Sequence, residues 1–308
     1  MPSNTREIKR RIKSVKNIGQ ITRAMQLVAA SKMKRAEKRS RDSDVYAYGA
    51  LEILRNVTKA LRGSGEEHAL LKKRSTGRVA VLFISTDRGF CGGLNVVLWS
   101  RVLGKIKEWK KEGKEVDVIS VGKKGRGLAK KAGLKIVADF TGIGDRVSIA
   151  EIRPIARVAM EEFEKGTYEE VWIAYSQFVN TLLQRPVLRE LLPVEEKMFE
   201  EITETDNKVQ AYLFRRETKG EGEAVYVFEP NAEQVLKSLI PYLVQIGVYK
   251  AALEGQASEH SARMVAMKNA TDKAGELKGD LELVYNQARQ AGITREIAEI
   301  SSGAAATA

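Results

Sequence analysis

Nine consecutive residues, Asp87-Arg88-Gly89-Phe90-Cys91-Gly92-Gly93-Leu94-Asn95, combine glycines, a thiol and a charged pair as a phosphate-binding or nucleophilic loop would. They lie between an apolar run and an amphipathic one, the strand-to-helix turn where phosphates meet helix N-termini. The spacing fits neither G-x-G-x-x-G nor the Walker pattern. Gly122-Lys123-Lys124-Gly125-Arg126-Gly127 lacks the Lys-Ser/Thr ending, and Gly142-Ile143-Gly144 lacks a third glycine. Each reads better as tight-turn glycine, which reaches positive φ without steric cost. Cys91 is the single cysteine, so no internal disulfide can form, and no base is spaced to activate its thiol. His68 and His260 have no recognisable Ser or Asp partner, and one Cys with two His is too few for a structural zinc site. His260, on an apolar helical face, reads as an interface residue rather than a ligand. No catalytic constellation, cofactor site or metal site emerges.

The elements around these loops change period along the chain. Between Gly77 and Glu229, apolar runs alternate with amphipathic stretches. Strands are expected at Arg78–Ser85, Glu115–Val121, Leu134–Phe140, Val171–Phe178, Pro186–Pro193 and Ala224–Phe228. Helices are expected through Trp99 and Ile106 to Trp109, over Ser148–Lys165, and around Val209–Phe214 in the polar stretch 195–223. Such alternation implies a mostly parallel sheet covered on both faces.

The two ends read differently. Asn4 with Glu7 resembles a capping box, and Ile8, Ile12, Val15, Ile18, Ile21, Met25 and Val28 recur at spacings of three or four. The stripe resumes at Val45, Leu51, Leu54, Val57 and Leu61, and Gly63-Ser64-Gly65-Glu66-Glu67 ends it. A second stripe starts behind an Asn231 cap and runs from Val235 through Leu253, His260, Met267, Leu277, Leu281 and Val284 to Ala291. Pro241 is expected to kink it, because proline removes a helical hydrogen bond. The fold expected is a long antiparallel coiled coil of the terminal helices plus a Rossmann-like α/β domain. Its parts are an N-terminal coiled-coil helix (1–62), a linker (63–77), the α/β domain (78–229) and a C-terminal coiled-coil helix (230–308). The second helix is the longer, so its tip is expected to stand unpaired. Small, mildly apolar residues there favour a surrounding protein sleeve over open water.

Charge separates the ends further. Of 308 residues, 52 are Lys or Arg and 40 are Asp or Glu, a net +12. Residues 1–62 hold 16 basic and 5 acidic side chains, so nearly all the excess belongs to the first helix. Such a helix seeks nucleic acid, anionic lipid or an acidic protein surface. A nucleic-acid-binding coiled coil is the main alternative, although the helix has few aromatics and no base-reading motif. A small-molecule enzyme on the α/β domain is the other. No apolar run approaches the roughly 18–20 residues of a membrane-spanning helix, and no secretory core follows Met1, so a cytosolic-side protein is expected.

Three separated motifs then carry a resemblance. Ile293-Thr294-Arg295-Glu296-Ile297-Ala298-Glu299-Ile300-Ser301-Ser302-Gly303-Ala304-Ala305-Ala306, Ile21-Thr22-Arg23-Ala24-Met25-Gln26-Leu27-Val28-Ala29-Ala30-Ser31-Lys32-Met33, and the Asp87–Asn95 run resemble the gamma subunits of bacterial-type F-type ATP synthases. That resemblance implies a non-catalytic rotor shaft. It would turn inside a ring of three alpha and three beta subunits, with the epsilon subunit and the membrane rotor c-ring at its α/β end. It implies a peripheral place on the cytoplasmic side of the cell inner membrane. It implies that Arg289, Gln290, Thr294 and Glu296 hydrogen-bond a loop of a beta subunit, and that Met25 and Arg263 affect coupling. The basic run Arg6–Arg41 would face acidic beta-subunit loops. The regulatory cysteine pair of chloroplast members is not possible with Cys91 alone.

Overall fold

The computed structural model describes residues 2–60, 68–144, 147–194 and 228–307. They form α1 (Pro2–Ala60), β1 (Arg78–Ile84), α2 (Leu94–Lys111), β2 (Glu115–Val121), α3 (Lys123–Lys131), β3 (Lys135–Phe140), α4 (Ile149–Glu164), β4 (Glu170–Phe178), β5 (Gln184–Leu192) and α5 (Ala232–Thr307). Several expectations fall outside the described residues: the helix end at Gly63–Glu67, the helix at Val209–Phe214, and all but Phe228 of the last strand. So do Leu61 and the side chains of Val45 and Leu51. Two compact units result, residues 31–262 and residues 1–30 with 263–308.

In the larger unit the sheet order is β3-β2-β1-β4-β5. β1 pairs in parallel with β2 and β4, and β2 with β3, whereas β5 returns antiparallel to β4. The order reverses direction between β1 and β4, as in doubly wound folds. Strand β1 is apolar throughout because both its faces are covered. Val79, Val81 and Phe83 pack with Leu98, Val102, Ile106 and Trp109 of α2. Ala80, Leu82 and Ile84 face the other way, into a core with Ile152 and Phe163 of α4, Leu54 and Val57 of α1, and Leu243 and Leu253 of α5.

Local signals set the element ends. Ser148 and Glu151 close a capping box at α4. The Gln234 N–H donates to Asn231 Oδ1 at 2.8 Å, capping α5, which runs as one helix with Pro241 inside it. Two expectations are corrected. Helix α1 begins at Pro2, so Asn4 lies within the helix rather than capping it; proline loses nothing at a first helical position, where its absent N–H would be unpaired anyway. Residues 123–127, read as a glycine turn, open helix α3. Gly122 alone has the turn conformation, with φ of 93°. Gly125 is helical, and a Cβ there would lie 2.5 Å from Phe83 Cδ1, so glycine serves close packing of α3 on β1.

The smaller unit is an antiparallel helix pair. Thr22 Oγ1 and Thr271 Oγ1 are 2.7 Å apart, and a Cβ on Gly19 would lie 3.5 Å from Ala274 Cβ. One run of covered positions on α1 is Ile8, Ile12, Val15, Gly19, Thr22, Gln26 and Ala29, and one on α5 is Met264, Met267, Thr271, Ala274, Lys278, Leu281, Tyr285 and Ala288, with Met25, Ala30, Val265, Ala266 and Ala270 half-buried beside them. Both sets alternate spacings of three and four without a break, the heptad seam of a left-handed coiled coil. Ile8, Ile12, Val15 and Met25 of the expected stripe are covered, and the rest of it is corrected. Ile18, Ile21 and Val28 are 50%, 60% and 54% exposed, and Leu277 and Val284 are also open to solvent. Around Gly19, Thr22 and Ala29 small and hydroxylated side chains take the seam instead, and a Gly19–Ala274 contact there lets the two backbones approach. A second apolar face is left outside.

Candidate functional site

At the C-terminal ends of β1 and β4, a doubly wound sheet opens the crevice where ligands usually bind. Here the chain fills it. The Asp87 carboxylate accepts from Lys123 N–H at 3.0 Å and from Gly142 N–H at 2.8 Å. Ser85 Oγ accepts from Gly125 N–H at 2.7 Å, and Asn95 Oδ1 accepts from Thr86 N–H at 3.2 Å. These are backbone donors that would cradle a phosphate, and side chains of the same loops already hold them. Cys91 is buried, with Asn95 Nδ2 3.4 Å from its sulfur. Phe90 sits at φ of 64° and exposes its ring. Helix α5 lies across the same crevice. Gln256 Nε2 donates to Gly144 O at 2.6 Å, Ser258 Oγ to Ser176 O at 2.8 Å and Ser261 Oγ to Thr181 O at 2.7 Å. A cavity of about 260 Å³ remains, bordered by Arg88, Asp87, Glu259 and His260. His260 is buried, and among the described residues no three His, Cys, Asp or Glu side chains cluster as metal ligands would.

Most of the perturbed ionisable groups of this unit lie at the opposite, N-terminal edge of the strands. Burial pushes the Glu169 carboxyl up, but the Lys114 ammonium, 2.5 Å away, and the N–H groups of Gly77 and Thr76 together hold it below its ordinary value. Lys114 is raised in turn, first by its hydrogen bond to Glu169. Burial, then the hydrogen bond to Asp117 at 2.9 Å, raises the Tyr168 hydroxyl above its ordinary value. Asp117 also pairs with Arg78 at 3.0 Å. Burial also lowers His68. These pairs tie strand ends together at the edge away from the crevice, so they read as structure rather than chemistry.

The surface that remains for function is on the helix pair. Every residue from Arg289 to Ser302 is exposed, including Ile293, Ile297 and Ile300 at 48%, 61% and 73%. The unpaired end expected of the longer helix is therefore present. Arg289, Gln290, Thr294 and Glu296 all stand on it within two turns. The Thr294 hydroxyl is turned back onto the Gln290 carbonyl at 3.0 Å. Met25 and Arg263 are half-buried and belong to the paired part of the same unit. The sequence reading placed Ile18, Ile21 and Val28 in the covered stripe, whereas they form an outer apolar face, with Leu27 exposed on another side of the helix. The same reading missed Gln256, Ser258 and Ser261, polar residues inside an apolar run. The basic residues Arg6, Lys9, Arg10, Lys13, Lys16 and Arg23 are exposed along α1. Arg11 pairs with Glu7 at 2.6 Å, and Arg41 pairs with Glu37.

The chain is similar to known proteins along nearly its whole length. The profile of the ATP synthase family matches residues 4–307. An ATP synthase gamma chain of Chloroflexus aurantiacus is 43% identical over 307 residues, 99% of each chain. Gamma chains of Herpetosiphon aurantiacus and Legionella pneumophila are 42% and 35% identical, each over 99% of both chains. Among solved structures, the central stalk and c-ring of Tetrahymena thermophila mitochondrial ATP synthase holds a chain 25% identical, with TM-score 0.55 over 81% of this chain and 99% of that one. A chain of the Euglena gracilis mitochondrial ATP synthase shares the fold, with TM-score 0.66 and 20% identity over 100% of this chain and 95% of its own. A crevice closed by its own chain, a bare helical tip and relatives matched end to end lead to one assignment: the chain belongs to the ATP synthase gamma-chain family.

Proposed function

We propose that this chain is the central rotor shaft of an F-type ATP synthase, non-catalytic itself, turning inside a ring of three alpha and three beta subunits. Membership of the gamma-chain family over residues 4–307 carries the reading. The bare end of α5 gives it physical form, since an exposed apolar helix needs a protein surface around it. The two long helices form the shaft, and the α/β domain, about 78–229, meets the epsilon subunit and the membrane c-ring. No described helix is long and apolar enough to cross a membrane, which fits a peripheral subunit on the cytoplasmic side of a cell inner membrane.

The mechanism is differential contact. Rotation drives the catalytic sites only if each orientation of the shaft stabilises a different set of ring conformations. A shaft with one bare tip and one outer apolar face is asymmetric in the way this requires. Arg289, Gln290, Thr294 and Glu296 hydrogen-bond a loop of a beta subunit, while Met25 and Arg263 tune coupling from the paired region. The basic face of α1 complements acidic loops of the ring, each exposed contact contributing little and their sum steering the fit.

Reconstitution tests this. Purified alpha and beta subunits are assayed for steady ATP hydrolysis with and without the chain, which has no ATPase activity alone. A large stimulation, lost on deleting 289–308 or on crosslinking shaft to ring, is expected. Failure to associate, or salt-sensitive binding to DNA instead, sinks the rotor assignment in favour of the basic-helix alternative.

A further inference from the structure

We infer that Gln256, Ser258 and Ser261 are positioning residues that clamp α5 into the sheet crevice and so carry torque from the α/β domain into the shaft. The inference rests on the rotor reading. Three side chains within about one and a half helical turns donate to three backbone carbonyls: Gly144 after β3, Ser176 in β4 and Thr181 after it. Gln184 Nε2, at the start of β5, adds a contact to Ser261 Oγ at 3.4 Å. Ser258 and Ser261 are fully buried, and Ala251, Ala252 and Ala257 around them are closed to solvent. A Cβ on Gly255 would lie 3.6 Å from Ile84 Cγ2, so the helix sits close on the end of β1.

The chemistry of this seat differs from ordinary core packing. Apolar contact is non-directional, so a helix can turn about its axis on an apolar bed at small cost. Hydrogen bonds require alignment, and rotation of α5 by a few tens of degrees would break all three together. The carbonyls belong to the loop after β3, to the end of β4 and to the loop after it, so the load enters the sheet on both sides of β1 and β2. Serine is short enough to keep the helix near the rim while still donating. The same helix continues unbroken to the bare end at Arg289–Ser302. Torque entering at the sheet would pass along this helix to the surface that meets the ring.

The test uses the whole reconstituted ATP synthase in vesicles, measuring ATP-driven proton pumping and ATP hydrolysis side by side. For Gln256→Leu with Ser258→Ala and Ser261→Ala, the pumping-to-hydrolysis ratio falls about threefold or more, because three directional contacts of modest net worth are withdrawn. Hydrolysis itself persists. A second chain keeps Gln256→Leu and Ser258→Ala but carries Ser261→Cys with Thr181→Cys. Its ratio is low when reduced and returns toward the wild-type value when the disulfide forms. A folding defect would not reverse with redox state. An unchanged ratio in the triple variant, or no recovery on oxidation, overturns the clamp. If wild-type enzyme pumps normally in those cases, the clamp alone fails. If the wild-type chain supports no pumping, the rotor reading fails with it.

Discussion

Two stretches of α5 both carry large apolar side chains at helical spacing and meet opposite fates. Between Leu236 and Ser261 the helix is almost wholly covered, with Ile240, Leu243, Val244, Val248, Ala251 and Leu253 closed to solvent. From Arg289 to Ser302 it is open on every side, isoleucines included. The first stretch is stabilised within the chain by the sheet and α4. The second has no packing of its own, and a bare segment of that length is marginal as an isolated helix. The difference shows that apolar content says a face must be covered, while only the fold says whether the chain itself covers it.

Substitutions can break that contrast. Leu253→Ala, in the covered stretch, should cost about 2–5 kcal/mol in denaturant unfolding of the free chain, from lost burial and a cavity. A value near zero would mean that α5 is not a fixed part of the core. Removing the strand-end anchor by Glu169→Gln should cost about 1–3 kcal/mol, since Lys114 and the N–H groups of Thr76 and Gly77 lose a charged partner. The sign with pH follows from a carboxyl held low in the folded state. Its stabilisation is present above the ordinary value near 4.5 and fades as pH falls through the lower folded value. Unfolding curves of the variant should therefore show a shallower loss of stability below about pH 4.5 than wild type.

The seam between the helices offers a subtler test. Two hydroxyl protons serve the Thr22–Thr271 contact together with the Gly19 and Met267 carbonyls, so one hydroxyl bridges while the other bonds its own helix. A double-mutant cycle of Thr22→Val and Thr271→Val should give a coupling of about 0.5–1.5 kcal/mol by thermal unfolding. Additive effects would show that the two threonines act separately. Ile297→Ala in the bare stretch should change the stability of the free chain by less than about 0.5 kcal/mol. It should nonetheless lower the stimulation of ATP hydrolysis in the reconstituted ring. A large loss of stability in the free chain would contradict the exposure of this stretch and close the gap between the two regions.

Most of the architecture was legible because it rests on periodicity. Strands β1 to β4, the capped start of α4 at Ser148 and the cap of α5 at Asn231 were all readable from local pattern. Helix α3 was not, since three glycines in six residues argue for a turn, and only the packing of Gly125 against Phe83 explains them. The bare tip was legible from the unequal lengths of the terminal helices and the small residues at the end. The seam was legible as a coiled coil but misplaced on the surface. Ile18, Ile21 and Val28 look more like core than Gly19, Thr22 and Ala29 do, yet the latter are inside. The clamp at Ser258 and Ser261 left no readable signal, because a serine in an apolar helix names no partner.

The sequence by itself determined the order of elements except α3, the basic first helix, the absence of a phosphate-loop fingerprint and the family. Those properties depend on spacing and composition, which are local. The tertiary structure alone decided which of two neighbouring stripes becomes the seam, that Asp87 holds the backbone donors of the crevice, and that α5 closes it. Each is a choice of partner between residues far apart in the chain. Helical spacing tells which residues share a face and leaves open what that face will meet.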